Sequence, residues 1–206
     1  MAPLWIKICG LRTAGAVQAA AEAGASAVGF VFHAASPRNL SLDEARALQR
    51  AVPLGIERVA VFLHPSQALV DAVLEAVAPD WLQADAGDLA SLSVPTGQRV
   101  LPVLRSGDAL PGALAVRCLL ESARSGMGER ADWHAAARLA RERQVVLAGG
   151  LDPANVAEAI RTVRPFGVDV SSGVERERGV KDLALIREFI RVAREAEQAL
   201  IVEESS

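Results

Sequence analysis

The sequence predicts an α/β protein in which eight strands alternate with helices. Short, nearly continuous apolar runs recur along the 206 residues, and such runs are typical of parallel strands that are covered on both faces. Amphipathic, alanine-rich stretches separate the runs, as expected for repeated strand–helix units. Eight such units indicate a closed (β/α)8 barrel, or TIM barrel, with a doubly wound open sheet as the alternative.

No linker or low-complexity segment divides the chain, so we expect one barrel domain over residues 1–206. The expected strands are Leu4–Cys9, Ala27–Phe32, Arg58–Leu63, Trp81–Ala84, Val100–Leu104, Val116–Glu121, Val145–Ala148 and Gly167–Val170. The expected helices are Ala14–Ala23, Leu42–Ala51, Pro65–Ala76, Asp132–Arg143, Pro153–Val163 and Asp182–Ala199. The connections Asp88–Ser93 and Gly107–Ala115 are too short or too irregular for full helices, so we expect a degenerate fifth helix near Gly107–Ala115.

Composition argues against several classes of partner. The net charge is −3 and no Lys/Arg cluster occurs, so we expect neither nucleic acid nor an anionic membrane surface as a partner. No apolar segment approaches the length of a membrane span. Cys9 and Cys118 lack zinc-type spacing and the three histidines are scattered, so no metal site is expected. These features predict a cytoplasmic protein with reduced thiols.

The first strand carries a thiol where a TIM barrel holds its chemistry. Cys9 follows Lys7 and Ile8 at the carboxyl end of the strand, although an ordinary buried core thiol is the alternative. Because side chains alternate, Lys7 shares the face of Cys9 one layer deeper. A buried ammonium needs a partner, and Asp169 on the neighbouring eighth strand is the candidate. We expect the Lys7 charge to lower the pKa of Cys9.

Two further charged residues follow strand ends. Arg38 lies in a loop stiffened by Pro37 and suits a ligand carboxylate or phosphate, with a solvated loop arginine as the alternative. Glu121 ends the apolar sixth strand, where partial burial would raise its pKa for general-acid work. The alternative is an ordinary ion pair with Arg124. The glycines in residues 125–128 would allow a mobile flap.

Small residues end the last two strands. Gly149 and Gly150 follow the seventh strand, and Ser171, Ser172 and Gly173 follow the eighth. Small residues at these two places let backbone N–H groups approach an anion, and the loops after strands seven and eight form the usual phosphate site of this fold. We therefore expect phosphate binding there.

Several motifs together resemble one enzyme family. They are Lys7–Gly10, Gly29–Phe32 with Ser36–Arg38, Val61–Phe62, Ser125–Gly128 with Asp132–Trp133, Leu147–Leu151, and Gly167–Glu175 leading to Gly179–Asp182. On these motifs the sequence resembles phosphoribosylanthranilate isomerase, an enzyme of tryptophan biosynthesis and hence of aromatic amino-acid biosynthesis. The resemblance implies a cofactor-free Amadori rearrangement of N-(5-phosphoribosyl)anthranilate to 1-(2-carboxyphenylamino)-1-deoxyribulose 5-phosphate, and a small phosphosugar as the partner.

The resemblance also implies roles for individual residues. By position, Cys9 matches the general base, and Glu121 stands where the family has its general acid. Arg38 matches the residue that grips the anthranilate carboxylate, and Asp169 matches a position near the ribose hydroxyls. Lys7, the expected partner of Asp169, is grouped with these two as a substrate-binding residue. The phosphate is expected at Gly149, Gly150, Ser171, Ser172 and Gly173.

The sequence departs from the family pattern at two strand ends. The sixth strand usually ends Leu-Leu-Asp, whereas Glu121 is one methylene longer, and a misplacement of about 1 Å can lower a rate roughly 100-fold. The fourth strand usually ends Gln-Leu-His-Gly, but residues 83–86 read Gln-Ala-Asp-Ala. Two alternative functions stay open: a paralogous isomerase of another phosphorylated aminosugar, and a non-catalytic barrel that binds a phosphate ligand. The oligomeric state also stays open, as either a monomer or a homodimer.

Overall fold

Eight parallel strands close into a barrel in the computed structural model, which describes residues 3–105, 116–122 and 131–204. The strands are β1 (Trp5–Cys9), β2 (Ala27–Phe32), β3 (Glu57–Phe62), β4 (Trp81–Asp85), β5 (Arg99–Arg105), β6 (Arg117–Glu121), β7 (Gln144–Leu147) and β8 (Gly167–Val170). Each strand pairs with the next along the chain, and β8 pairs with β1. The closed order confirms the predicted TIM barrel and excludes the doubly wound sheet.

Seven helices lie among the described residues. They are α1 (Ala14–Glu22), α2 (Leu42–Gln49), α3 (Gln67–Val77), α4 (Ala86–Ser91), α5 (Trp133–Ala140), α6 (Val156–Val163) and α7 (Leu183–Glu204). The six predicted helices are confirmed, with ends that differ by a few residues. The connection after β4 contains only the six-residue α4, and the predicted degenerate fifth helix lies in residues outside the described part of the chain. None of the described helices has the length and apolar character needed to cross a membrane.

Side-chain caps explain why several helices begin where they do. The Thr13 side chain accepts a hydrogen bond from the Ala16 N–H at the start of α1. Ser41 and Glu44 form a reciprocal capping box at the start of α2. Asp132 accepts from two N–H groups in the first turn of α5. These caps satisfy donors that have no partner within the helix.

The core has two layers because the side chains of each strand alternate. Outward-facing residues such as Ile6 and Ile8 belong to a large cluster between the sheet and the helices. Inward-facing residues form a second cluster inside the barrel: Trp5, Ala27, Val59, Trp81, Leu101, Val103, Leu119, Val146 and Ala148. This packing fills the lower part of the barrel interior, and a cavity opens at the carboxyl ends of the strands.

A small hairpin after β8 is absent from the sequence prediction. A 3-10 turn at Ser172–Val174 leads into β9 (Glu175–Glu177), which pairs antiparallel with β10 (Val180–Lys181). Strands of three and two residues are too short to give a periodic pattern. The hairpin matters because it places the Glu175 and Lys181 side chains beside the barrel mouth.

Candidate active site

The cavity at the barrel mouth has a volume of about 260 Å³. Its polar and charged lining residues are Cys9, His33, Ser36, Arg38, Gln83, Asp85, Arg105, Glu121, Asp169, Ser171 and Arg178. An adjoining cleft shares Glu121, Asp169 and Ser171 with this cavity and is also lined by Gly149, Gly150 and Ser172. The structure therefore brings the predicted site residues together at one end of the barrel, with Lys7 one layer below Cys9. Gly173 is the exception, because it packs against the Leu151 backbone and lines neither space.

The thiol of Cys9 lies against a buried ion pair. Lys7 is fully buried, and its Nζ donates to Asp169 Oδ1 over 2.8 Å. This contact agrees with the predicted pairing, because β1 and β8 are neighbours and place Lys7 opposite Asp169. Gly29 on β2 leaves room for both side chains, since a Cβ there would lie 3.0 Å from Cys9 Sγ and from Lys7 Cε. The thiol and the ammonium therefore share a space that a glycine keeps open.

Opposing effects act on the two titratable groups of β1. Burial raises the pKa of the Cys9 thiol, whereas the Lys7 and Lys181 ammonium groups lower it, and the net direction is upward. Burial alone would lower the pKa of Lys7, but Asp169 and Cys9 outweigh it and raise that pKa. Lys7 thus acts on the thiol in the predicted direction but does not overcome burial.

Arg38 is held by a carboxylate. Its Nε and Nη2 donate to the two Glu175 oxygens over 2.7 and 2.9 Å. Lys181 donates to Glu175 over 2.8 Å and to the Ser171 carbonyl over 2.7 Å. Burial alone would raise the pKa of Glu175, but hydrogen bonds from Arg38, Lys181 and the Gly179 N–H lower it to about 2. Arg38 is therefore a buried, fixed guanidinium and not the solvated loop arginine of the alternative interpretation.

Glu121 lies beside a second arginine. Arg105 on β5 is its direct neighbour in the sheet, and Arg105 Nη1 is 3.7 Å from Glu121 Oε2. Arg105 Nη2 also donates to both oxygens of Asp85, over 2.6 and 2.9 Å. The Glu121 side chain is 18% exposed. Arg124, the alternative partner, and the predicted flap at residues 125–128 lie outside the described part of the chain.

The loops after β7 and β8 are packed closely together. Gly149 and Gly150 have φ angles of 86° and 64°, a region that favours glycine. The Asn155 amide donates to the Gly150 carbonyl over 2.8 Å and holds this loop. A Cβ on Gly173 would collide with the Leu151 carbonyl oxygen. Small residues are thus required where the two loops meet, beside the cleft predicted to take a phosphate.

Sequence reasoning missed four residues that shape the site. Glu175, Lys181 and Gly29 lie within the motifs quoted for the family resemblance, but no role was assigned to them. The rarity of lysine, which occurs only at Lys7 and Lys181, was the available signal for Lys181. Nothing in the local sequence distinguishes Arg105 from other arginines. His33 lines the cavity, whereas His64 and His134 are exposed.

The fold and the site together are those of a TIM-barrel enzyme whose cavity suits a small anionic molecule. The mouth combines a thiol, a carboxyl group, fixed cations and two small-residue loops, which are the groups needed for proton transfer on an anionic ligand.

Comparisons identify the family within this class. The family model described as N-(5'phosphoribosyl)anthranilate (PRA) isomerase matches residues 6–192, and the chain belongs to this family. The N-(5'-phosphoribosyl)anthranilate isomerase of Thiobacillus denitrificans is 38% identical over 200 residues, which cover 92% of this chain and 97% of that protein.

Two solved structures show the same barrel. TrpF from Jonesia denitrificans superposes with a TM-score of 0.76 at 33% identity, covering 95% of this chain and 98% of that one. A phosphoribosyl anthranilate isomerase in complex with reduced 1-(o-carboxyphenylamino)-1-deoxyribulose 5-phosphate superposes with a TM-score of 0.74 at 30% identity, covering 94% of this chain and 100% of that one. The resemblance drawn from the sequence motifs is confirmed.

Proposed function

We propose that residues 1–206 form one catalytic domain that converts N-(5'-phosphoribosyl)anthranilate into 1-(2-carboxyphenylamino)-1-deoxyribulose 5-phosphate. The observation that carries the proposal is that the Cys9 thiol and the Glu121 carboxyl, on β1 and β6, line one cavity above the barrel core. A base and an acid from different strands face the same ligand volume. The free state of both cysteines supports the expected cytoplasmic location.

The first step is opening of the ribose ring. Glu121, in its protonated form, donates a proton to the furanose ring oxygen while the C1–O bond breaks. The nitrogen lone pair forms the C1=N bond, so the product of this step is a protonated Schiff base. The side chain is suited to this role because it ends a buried strand and is only partly exposed.

The second step is removal of the C2 proton. Cys9 as thiolate takes this proton, and the C2–H electrons form a C1=C2 bond as the Schiff base nitrogen is neutralised. The resulting enolamine then tautomerises to the aminoketose. Burial raises the pKa of Cys9 and Lys7 opposes that rise, so the ion pair with Asp169 keeps an ammonium next to the thiolate that accepts the proton.

The cations of the mouth suit a substrate with a carboxylate at one end and a phosphate at the other. Arg38 is oriented by Glu175 before any ligand arrives, and its remaining N–H groups are available for the anthranilate carboxylate. Arg178, at the exposed hairpin tip, also lines the cavity. The phosphate would lie in the adjoining cleft between Gly149–Gly150 and Ser171–Ser172, with Gly173 packed against Leu151.

The test is turnover of phosphoribosylanthranilate by the purified protein, followed as loss of anthranilate-type fluorescence. Wild type is expected to consume the substrate, and Glu121→Gln to lower kcat by about 10²–10⁴-fold with a smaller change in KM. Glu121→Asp is the matched control, because it keeps an acid at the same position and is expected to retain far more activity than the amide.

Two outcomes would contradict the proposal. No turnover, combined with a rise in melting temperature on adding the reduced product analogue, would indicate a binding protein. Full activity in Glu121→Gln would remove this residue as the acid and direct attention to Asp85.

A further inference from the structure

We propose that Arg105 and Asp85 form a positioning pair that holds Glu121 at the cavity wall and balances the charge beside it. The inference rests on the proposed role of Glu121 as the general acid. Neither Arg105 nor Asp85 is assigned to the reaction itself; both act through Glu121.

The register of three neighbouring strands brings these side chains together. Arg105 and Glu121 are direct partners across β5 and β6. Asp85 is the partner of Val103 across β4 and β5, and Val103 and Arg105 share one face of β5 because side chains alternate. The three charged residues therefore lie side by side on the inner face at the cavity rim, and all three line the cavity.

The Arg105 guanidinium lies closer to Asp85 than to Glu121. Arg105 Nη2 binds both oxygens of Asp85 at 2.6 and 2.9 Å, whereas Nη1 stands 3.7 Å from Glu121 Oε2. The exposed fractions of the three side chains are only 18–21%. The strong pair is thus Arg105 with Asp85, and Glu121 is held close to the guanidinium without a close hydrogen bond to Nη1.

This division suits a group that must give up a proton. An unbalanced guanidinium next to a carboxyl lowers the pKa of that carboxyl, so a smaller fraction of it carries the proton that a general acid must donate. The Asp85 carboxylate offsets the charge of the guanidinium that stands 3.7 Å from Glu121 Oε2, so the pair places a balanced cation beside the proposed acid. Asp85 and Glu121 are also the residues at which β4 and β6 end differently from the family pattern, and one guanidinium connects them.

Other charged groups face the same space and are left unchanged by the test. Among the described residues they are Cys9 and Lys7 from β1, Arg38 and His33 from the loop after β2, Asp169 from β8, and Arg178 from the hairpin. His64 and Asp88 lie on the other side of Asp85, and one side-chain N or O atom of each of these three residues lies within 4.8 Å of the others. Because Asp88 and Asp85 raise the pKa of His64 and Arg105 lowers it, a titration of Glu121 itself is needed to isolate the contribution of the Arg105–Asp85 pair.

The experiment measures kcat against pH for paired variants. Asp85→Asn keeps the shape but removes the balancing charge, so the limb that titrates Glu121 is expected to move down by about one pH unit. Because the pKa of the Cys9 thiol is raised, this is the acidic limb of the profile. Arg105→Gln removes the cation, so the limb is expected to move up. The double variant is expected to return the limb toward its wild-type position, and Arg105→Lys to preserve it.

The matched control is Arg99→Gln, at the other end of β5, where Arg99 pairs with Glu57 outside the cavity. Both limbs of its profile are expected to coincide with those of wild type. Shifts in the same direction for Asp85→Asn and Arg105→Gln, or changes in kcat with no movement of the limb, would overturn the inference.

A second measurement separates this inference from the proposed reaction. NMR titration of the Glu121 carboxyl in the unliganded protein reports the same opposite shifts without any turnover. If wild type does not consume phosphoribosylanthranilate, the proposed function fails. Opposite titration shifts would then still support the positioning pair, and coincident titrations would overturn it.

Discussion

The two ends of the barrel both gather cations, but they hold them in different ways. At the amino-terminal end, the Arg117 guanidinium lies 4.0 Å from the centre of the Phe166 ring and 4.7 Å from that of Trp81. Arg99 lies 4.5 Å from the centre of the Trp81 ring. At the carboxyl-terminal end, Lys7 and Arg38 pair with the carboxylates of Asp169 and Glu175.

The cations at the amino-terminal end are expected to contribute mainly to stability, and those at the carboxyl-terminal end mainly to the chemistry of the site. A cation over an aromatic face is stabilised by the ring and covers apolar surface. A buried ion pair is weak evidence for stability, because apolar residues of similar volume often replace it without loss. Paired charges around a cavity are better explained by what they do to a ligand and to the Cys9 thiol. We therefore expect substitutions at the two ends to have different consequences.

The largest expected effect contrasts the two cysteines. Cys9 lines the cavity, whereas Cys118 faces outward into the packing between sheet and helices, where burial raises its pKa to about 11. Cys9→Ala is expected to lower kcat by about 10²–10⁴-fold. Cys118→Ala is expected to leave kcat within about twofold and to lower the melting temperature by a few degrees. Steady-state kinetics and thermal unfolding decide, and equal kcat losses would remove the distinction.

The second contrast compares a cation at each end. Lys7→Met leaves Asp169 buried without its ammonium, so the free energy of unfolding is expected to fall by about 3–5 kcal/mol. The pKa of Cys9 should also rise further, which slows thiol alkylation at neutral pH. Arg117→Met is expected to lower the free energy of unfolding by only about 1–2 kcal/mol with no change in alkylation.

Both variants are made in the Cys118→Ala background, so that only Cys9 reacts. Urea unfolding gives the stabilities, and alkylation rates from pH 6 to pH 10 give the thiol titration. An alkylation profile that does not respond to Lys7→Met would contradict the electrostatic role of Lys7.

The smallest expected effect concerns the Glu175 carboxylate, which binds Arg38 and is called here the clamp, and the pH dependence of its contribution to stability. The pKa of Glu175 is about 2 in the folded protein, below its ordinary value of 4.5. A depressed carboxyl pKa stabilises the fold above the unfolded-state value, and this stability is lost as the pH falls from about 4.5 to about 2. Glu175→Gln should therefore be most destabilising near pH 7 and approach wild type near pH 2, and its KM should rise a few-fold.

Urea midpoints of wild type and variant across this range measure the effect. Glu188→Gln is the control, because Glu188 pairs with Arg191 on the exposed side of α7 and such pairs contribute at most about 1 kcal/mol. A stability difference for Glu175→Gln that does not change with pH would show that the clamp acts through packing.

The fold could be predicted because its signals are local and repeated. Each of the eight barrel strands has four to seven residues and contains an apolar run, and the helices between them begin at caps such as Ser41 and Asp132. The position of Cys9 and its alignment with Lys7 and Asp169 followed from alternation and strand order alone. These features need no knowledge of side-chain conformation.

The contacts that adjust the site could not be predicted in this way. The pairing of Arg38 with Glu175 spans 137 residues and depends on a hairpin too short to give a pattern. The link from Arg105 to Asp85 and Glu121 depends on the register of three strands. Long, flexible side chains choose among several partners, and only the folded geometry decides which one they reach.

The barrel mouth requires a glycine at position 29, although this residue has no functional group. The Cys9 sulfur and the Lys7 side chain occupy the space beside Gly29 that a larger side chain would fill. A single added methyl group would push the proposed base and its neighbouring ammonium at the same time. Gly29 on β2 therefore helps to fix the position of the Cys9 thiol on β1, because it has no side chain of its own.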